Sequence, residues 1–346
     1  MLKNRILQTI IIIAALLFNG CEDYCHNDEK SHYYPPIGSD EWETITPDEL
    51  GWNVEKLDET IQWVGDHNTV AFIVLHQGKK VVEEYWGGGG INKYIKIASI
   101  TKSITAILIG IAQQEGILNI DDNVSDYISA GWSNSDEENE AKITIHNLLT
   151  MTCGLDEDLN YVDEPGANYL YNTPAFYQLW LVLEKASGKT IVEFTNEALF
   201  KKVGMSDALR WYKGGALKPR DIARFGLLVI NRGMWNDNAI ITDMNYYNDM
   251  LSPSQDYVNC YGYLWWLNND CNAQDGDSEF FSFSNAPNDL FAAVGAGDQR
   301  LYIIPSKELV IVRLGFNNNL PYWGEESFNN KFWDLMNEVI IEHENL

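Results

Sequence analysis

Ser99-Ile100-Thr101-Lys102 places a hydroxyl and an amine three residues apart at the mouth of an apolar run from Ser99 to Glu115. Residues at that spacing share one face of a helix. The first turn of a helix carries N–H groups without intrahelical partners, and the macrodipole there favours a developing anion. A serine hydroxyl is a poor nucleophile until a base takes its proton. A lysine one turn further on can be that base if burial lowers its pKa. S-x-x-K alone recurs by chance in many helices, so its meaning rests on partner residues further along the chain.

Two other strings complete a reactive set. Tyr171-Asn172-Thr173 stands just before Pro174 and brings a phenol that, as tyrosinate, is a second candidate base. Tyr169 competes for that role from two residues away, and Tyr171 is preferred because Thr173-Pro174 and the following helix set the register. Ala293-Val294-Gly295-Ala296-Gly297 closes a strand-like segment. Glycine on an edge strand lets a substrate backbone or acyl oxygen come close. A strand N–H there, with that of Ser99, makes an oxyanion hole.

The elements that must hold these residues read as an α+β pattern. Asp48 to Val64 has helical spacing. Thr69 to His76 and Lys79 to Trp86, split by Gln77-Gly78, read as a β-hairpin. Gly87 to Gly90 is a four-glycine loop with no phosphate-loop Lys-Ser/Thr after it, so it is given no nucleotide role. The helix after Ser99 sets Ile100, Ile104, Ile107, Leu108 and Ile111 on one stripe and ends at Gly116. Thr144 caps a segment through Met151 that Gly154 closes. Thr173 caps a helix with Pro174 at its first position and Gly188 past its end. Thr190-Ile-Val-Glu193 is a capping box, and Pro219 to Asn231 is another helix. Tyr261 to Leu267, Phe291 to Val294, Arg300 to Ile304 and Leu309 to Leu314 read as strands, the last three consecutive and antiparallel. Phe328 to His343 reads as a terminal helix. This order predicts one antiparallel sheet built from both ends of the chain, flanked by helices, with a helical insert between.

The chain has 346 residues and a net charge of −26, spread over stretches such as Asp136 to Glu140 and Glu325-Glu326. That acidity reads as a solvated surface and argues against nucleic acid or anionic lipid as partners. Lys3 and Arg5, then the mostly apolar Ile6 to Phe18, form a targeting segment over residues 1–20 that is too short to span a bilayer comfortably. Phe18-Asn19-Gly20-Cys21 is similar to a bacterial lipobox, with Cys21 the lipidated residue; ordinary signal cleavage nearby is the alternative. Either route predicts an exported protein, periplasmic or at the cell surface, whose only membrane contact is a lipid anchor. Residues 21–44, with Pro35-Pro36, read as a tether, and residues 45–346 as the domain. Cys260 and Cys271 flank a polar stretch and suit a disulfide. No C-x-x-C pair occurs and the histidines are scattered, so neither metal nor other cofactor is implied; His146 reads as structural.

Taken together, Ile97-Ala-Ser-Ile-Thr-Lys-Ser-Ile-Thr, His146-Asn-Leu-Leu-Thr-Met-Thr-Cys-Gly-Leu155, Tyr171-Asn-Thr-Pro-Ala, Arg220-Asp-Ile-Ala-Arg-Phe-Gly226 and Tyr261-Gly-Tyr-Leu-Trp-Trp266 resemble the serine β-lactamase and penicillin-binding-protein superfamily. The similarity runs over roughly residues 45–343 and leans toward class C β-lactamase-related hydrolases, esterases and 6-aminohexanoate-dimer hydrolases among them. The resemblance implies the β-lactamase/transpeptidase-like fold and an acyl-enzyme mechanism. It makes Ser99 the nucleophile, Lys102 its base partner and Tyr171 the relay of a proton to the leaving group. Gly295 is then the glycine of the family's K-T-G strand, and Ala296 the oxyanion-hole residue after it.

Two positions depart from the pattern. Thr173 stands where many relatives have Asn, and Ala293 where a Lys or His often holds a substrate carboxylate. The second departure points to small uncharged esters or amides, unless Arg300 supplies a replacement cation. Tyr261, Trp265, Trp266 and Trp180 are candidates to line the acyl pocket, against the plain alternative of core aromatics. A D-amino-acid peptidase or carboxypeptidase, a β-lactamase, and an idle surface lipoprotein binding a cell-wall or glycan ligand are the competing functions.

Overall fold

A computed structural model describes residues 32–208, 214–269, 271, 283–316, 320–321 and 326–340. Cys21, Cys25 and the targeting segment lie outside the described residues. Asn53 opens helix α1, Val54–Asp66, by accepting the Lys56 N–H. Strands β1, Thr69–His76, and β2, Lys79–Tyr85, form the expected hairpin. A two-residue strand β3, Ile95–Lys96, leads into α2, Ile100–Gln114. The middle region is helical, with α3, Ile145–Leu149, α4, Thr173–Ser187, and α5, Ile191–Thr195. Strand β4, Ala216–Leu217, pairs with β3, and α6, Pro219–Ile230, comes after it. A small hairpin of β5, Met234–Trp235, and β6, Asn238–Ala239, then gives way to α7, Met244–Met250. The chain returns to the main sheet through β7, Trp266–Leu267, β8, Phe291–Gly295, β9, Gln299–Ile304, and β10, Leu309–Gly315. It continues in α8, Phe328–Val339.

The main sheet has six strands in the order β2-β1-β10-β9-β8-β7, every pair antiparallel. β1 lies against β10, so segments near the two ends of the domain meet in the middle of the sheet, as the sequence predicts. Side chains alternate across the pleat. On one face Phe72 and Tyr302 meet Phe332 of α8, with ring centroids 5.9 and 5.7 Å apart. On the other, Leu301 and Val310 press against Gly226 of α6, where an added Cβ would sit 2.8 and 2.5 Å from their side chains.

Helix α2 runs through the centre, and every residue from Ile100 to Ala112 is buried. The sequence predicts one apolar stripe; the helix is instead enclosed on all sides, as its buried residues, apolar or small apart from Lys102, allow. Gly110 is the point of closest approach, since a Cβ there would lie 2.4 Å from the Tyr246 ring.

Local signals hold at α3 and α5, where Thr144 with Asn147 and Thr190 with Glu193 form capping boxes. Three readings change. The strand expected over Tyr261 to Leu267 shrinks to Trp266–Leu267, because Leu264 takes φ +62° and its N–H turns to Leu149 O. The helix expected from Asp48 breaks at Gly51, φ 69°, into a short 3-10 turn, Asp48–Leu50, and α1. Residues 33–44, expected to be the end of a tether, pack on the domain. The Trp42 indole is 8% exposed and donates to Gly78 O, and Arg224 of α6 donates to Pro35 O and Pro36 O. Cys260 and Cys271 are joined in a disulfide, and Cys153 is a buried free thiol.

Candidate active site

Ser99 is the N-cap of α2, and the residue before it, Ala98, takes φ +47°. A left-handed conformation costs a non-glycine residue about 1–2 kcal/mol. It is held here by Ala98 N–H donating to Gly214 O and by Thr101 donating through its hydroxyl to Ala98 O. Among the described residues no acceptor lies on the Ser99 N–H, which leaves that donor open at the helix mouth.

Lys102 is 3% exposed, and its Nζ donates to Ser99 Oγ at 3.3 Å and to Thr173 Oγ1 at 3.0 Å. The rings of Tyr171 and Phe176 lie 4.7 and 4.8 Å from Nζ. No carboxylate pairs with it among the described residues, and burial lowers its pKa from 10.5 to about 7. An amine in that state is half neutral near neutral pH and can take the Ser99 proton.

Asn172, fully buried, is the actual cap of α4: its Oδ1 accepts the Ala175 N–H while Nδ2 donates to Leu155 O and Asp156 O. The sequence pattern assigns that cap to Thr173. Thr173 is instead the first residue of the helix, and its hydroxyl turns to meet Lys102. The cap holds Tyr171 beside Lys102, with its ring stacked on Trp266 at 6.0 Å and edge-on to Tyr261 at 6.3 Å. Tyr169 packs edge-on to Tyr261, and burial holds its hydroxyl well above the ordinary phenol range.

The third string arrives from β8. Gly295 is fixed by packing: a Cβ there would sit 2.3 Å from Ile97 O and 3.1 Å from Ser99 N. The glycine thus lets the strand press on the Ile97–Ser99 backbone, a different use from admitting substrate. Ala296, exposed, comes next at the turn beside Ser99. Two residues that sequence reasoning missed brace this turn from behind. Gln299 donates to Gly297 O at 2.9 Å and Gly315 O at 2.7 Å and accepts the Gly315 N–H. Arg313 donates to Asp298 O at 2.7 Å, Thr69 Oγ1 at 2.9 Å and His67 O at 2.6 Å. A glutamine and an arginine inside strands carry no local signal for such a task.

The remaining candidate residues also find their places. Arg300 does not reach the site: it pairs with Val294 across β8–β9, on the face opposite Gly295. There it donates to Asp298 Oδ1 and Asn329 Oδ1. Trp265 is fully buried between Phe225 and Phe291, and Trp180 donates to Thr105 Oγ1, so both are core residues. Tyr261 and Trp266, 1% and 7% exposed, support the Tyr171 ring from beneath. His146 packs edge-on to Tyr263.

The model of the β-lactamase family matches residues 55–211, a span that holds Ser99, Lys102 and Tyr171 and stops short of β8. The fold matches a candidate β-lactamase from Bacteroides dorei with TM-score 0.67 at 16% identity, covering 84% of this chain and 99% of that one. Over residues 55–211 the chain resembles the serine β-lactamase and penicillin-binding-protein-like superfamily, and it has that superfamily's fold. Its β-lactamase fold is shared with a candidate 6-aminohexanoate-dimer hydrolase from Bacillus anthracis, at TM-score 0.64, 20% identity and 88% coverage of each chain. EstCE1, a hydrolase with promiscuous acyltransferase activity, aligns at TM-score 0.61 and 13% identity, over 83% of this chain and 99% of its own. In sequence, an uncharacterized protein of Alkalihalophilus pseudofirmus is 22% identical over 325 residues, 82% of this chain and 91% of that protein. Protein flp of Staphylococcus aureus is 23% identical over 184 residues, and the chain spans only 37% of its length. This superfamily's fold therefore supplies the frame on which the Ser99 cluster sits.

Proposed function

We propose that the protein is a serine hydrolase that cleaves ester or amide bonds through an acyl-enzyme. The observation that carries this reading is Lys102: an amine 3% exposed, without a carboxylate partner, 3.3 Å from an accessible serine hydroxyl. Neutral Lys102 accepts the Ser99 proton as Oγ bonds to the substrate carbonyl carbon. The oxygen turned anion lies toward the N–H groups of Ser99 and Ala296. The intermediate collapses as the leaving group takes the proton from Lys102 by way of the Tyr171 hydroxyl, which leaves Ser99 acylated. Water then attacks the acyl carbon, gives its proton to the same base, and the acid departs as Ser99 is reprotonated. Neighbours described as a hydrolase with promiscuous acyltransferase activity and a candidate 6-aminohexanoate-dimer hydrolase support acyl-group chemistry. Export and a lipid on Cys21 complete the proposal, placing this chemistry outside the cytoplasm.

The test is covalent labelling. A fluorophosphonate should add one adduct, located on Ser99 by peptide mass spectrometry. Ser99→Ala should abolish both the adduct and p-nitrophenyl acetate hydrolysis, a drop of about 10⁴ in kcat. Turnover within tenfold of wild type in a folded Ser99→Ala protein overturns the assignment.

A further inference from the structure

One charged cleft beside the site is not used by this chemistry. A cleft of about 470 Å³ adjoins the oxyanion turn at Ala296 and Gly297 and extends toward Val70 of β1 and Gly315 of β10. Ile95, Tyr94 and Phe316, the last 66% exposed, give it an apolar lining. The four-glycine loop supplies a wall of bare backbone: a Cβ on Gly89 would fall 1.8 Å from Val70 O, so the loop lies flat against the strand. This accounts for a glycine run that carries no nucleotide signature.

Lys93 and Lys96 stand in the lining of this cleft, both exposed. Among the described residues neither makes an ion pair, and no Asp or Glu lines the cleft. The chain carries 50 acidic residues against 24 Lys and Arg, so a surface with two cations and no acid departs from its surroundings. Elsewhere Lys56, Lys79, Lys80, Lys142, Lys189 and Lys331 all sit against glutamates. The cleft extends from the Ala296 turn toward β1 and β10, whereas Tyr171 stacks on Trp266 of β7, the edge strand on the far side of β8.

We propose that this cleft binds the acyl chain of the substrate and that Lys93 and Lys96 recognise a carboxylate at that chain's far end. The placement rests on the acyl-enzyme reading: with the leaving group protonated from the Tyr171 side, the acyl chain points the other way. The substrate class is then an ester or amide of an ω-carboxyacyl group, apolar along its length and anionic at its tip. The expectation of an uncharged substrate comes from Ala293 and concerns only that corner of the site. The cations stand instead on the segment before Ser99, Lys93 ahead of β3 and Lys96 within it. Two charge-assisted contacts with exposed lysines are each modest in water, together about tenfold to thirtyfold in affinity.

The experiment compares mono-p-nitrophenyl adipate with p-nitrophenyl hexanoate, which has the same chain without the carboxylate, after subtraction of the spontaneous rates. Wild type should favour the adipate. The Lys93→Gln/Lys96→Gln protein should lose about tenfold or more in kcat/KM on the adipate through KM, while the hexanoate stays within twofold. An unchanged adipate-to-hexanoate ratio overturns the proposal. So does a lysine-dependent preference for 3-acetoxybenzoate over phenyl acetate with none for the adipate, because it moves the anion to the leaving group. If neither ester is hydrolysed in a Ser99-dependent way, the acyl-enzyme reading fails by itself. Calorimetric binding of adipic acid monoanilide to the Ser99→Ala protein then decides the subsite. A tenfold weakening on removing both lysines supports it, and equal or absent binding overturns it.

Discussion

Two buried polar centres lie on opposite sides of the β8–β9 ladder, and burial has opposite consequences in them. Lys102 on one side is 3% exposed; Arg300 and Arg313 on the other are 0% and 1% exposed. The arginine donors are taken up by Asp298, Asn329, Thr69 and a set of backbone carbonyls. Even with its pKa lowered to about 10 by burial, Arg313 stays charged at neutral pH and acts as a brace. Lys102 has two hydroxyls and two ring faces, and its proton is held loosely at about 7. What separates a reactive cation from a structural one here is the supply of acceptors, since depth is the same.

Replacing the loosely held proton by a fixed one is the sharpest way to break this comparison. Lys102→Arg should cost roughly 10³ in kcat/KM, within the range general-base removal spans, because guanidinium does not give up its proton. In wild type, kcat/KM should rise with pH through about 7 as Lys102 becomes neutral, and pH-rate profiles for both proteins check this. Stability changes with pH in the same direction. With the folded pKa below that of the free side chain, the unfolded state binds more protons between about pH 7 and 10. Stability on this account falls as pH drops across that window. Lys102→Met should therefore raise Tm by a few degrees at pH 7 while abolishing turnover.

Across the ladder the expectation reverses. Arg313→Ala leaves buried carbonyls without donors and should cost about 3–5 kcal/mol in chemical denaturation, with no change in the acid limb of the pH-rate profile of the protein that remains folded. A loss under about 1 kcal/mol would mean the brace is ornamental. Tyr171→Phe should lower kcat about 10²-fold, and Tyr169→Phe by less than about threefold, since the two keep ring packing and differ only in which hydroxyl is lost. Sensitivity at Tyr169 instead would shift the relay to the deeper ring. The smallest effect is expected at Thr173. Thr173→Val removes an acceptor from protonated Lys102, so the acid limb should move to lower pH with about a tenfold loss in kcat, and Thr173→Ser should restore both.

Sequence signals suffice where the cause is local. The β1–β2 hairpin, the strands of β8 to β10 and the Thr144 and Thr190 caps come from alternation, turn residues and capping spacing within a few positions. Ser99, Lys102 and Tyr171 are legible because their strings are short and dense, and the structure brings all three together. The reading fails where a distant partner decides. Asn172 displaces Thr173 as cap because its buried amide also serves Leu155 and Asp156. Simple alternation puts Arg300 on the wrong side because the turn at 296–298 resets it, and only the pairing with Val294 reveals its face. Lys93 and Lys96 carry no signal at all; two exposed lysines three positions apart become notable only once the cleft they share is seen.

The adjacency of β1 and β10 has a kinetic consequence. Thr69 and Arg313, hydrogen-bonded to each other, are 244 residues apart in the chain. Contacts of such separation form late and slow folding. Until β8 to β10 arrive, α2 stands with apolar flanks uncovered beside an unpaired β1 edge. A partly made chain is in that interval prone to self-association through its uncovered apolar surface and unpaired strand edge.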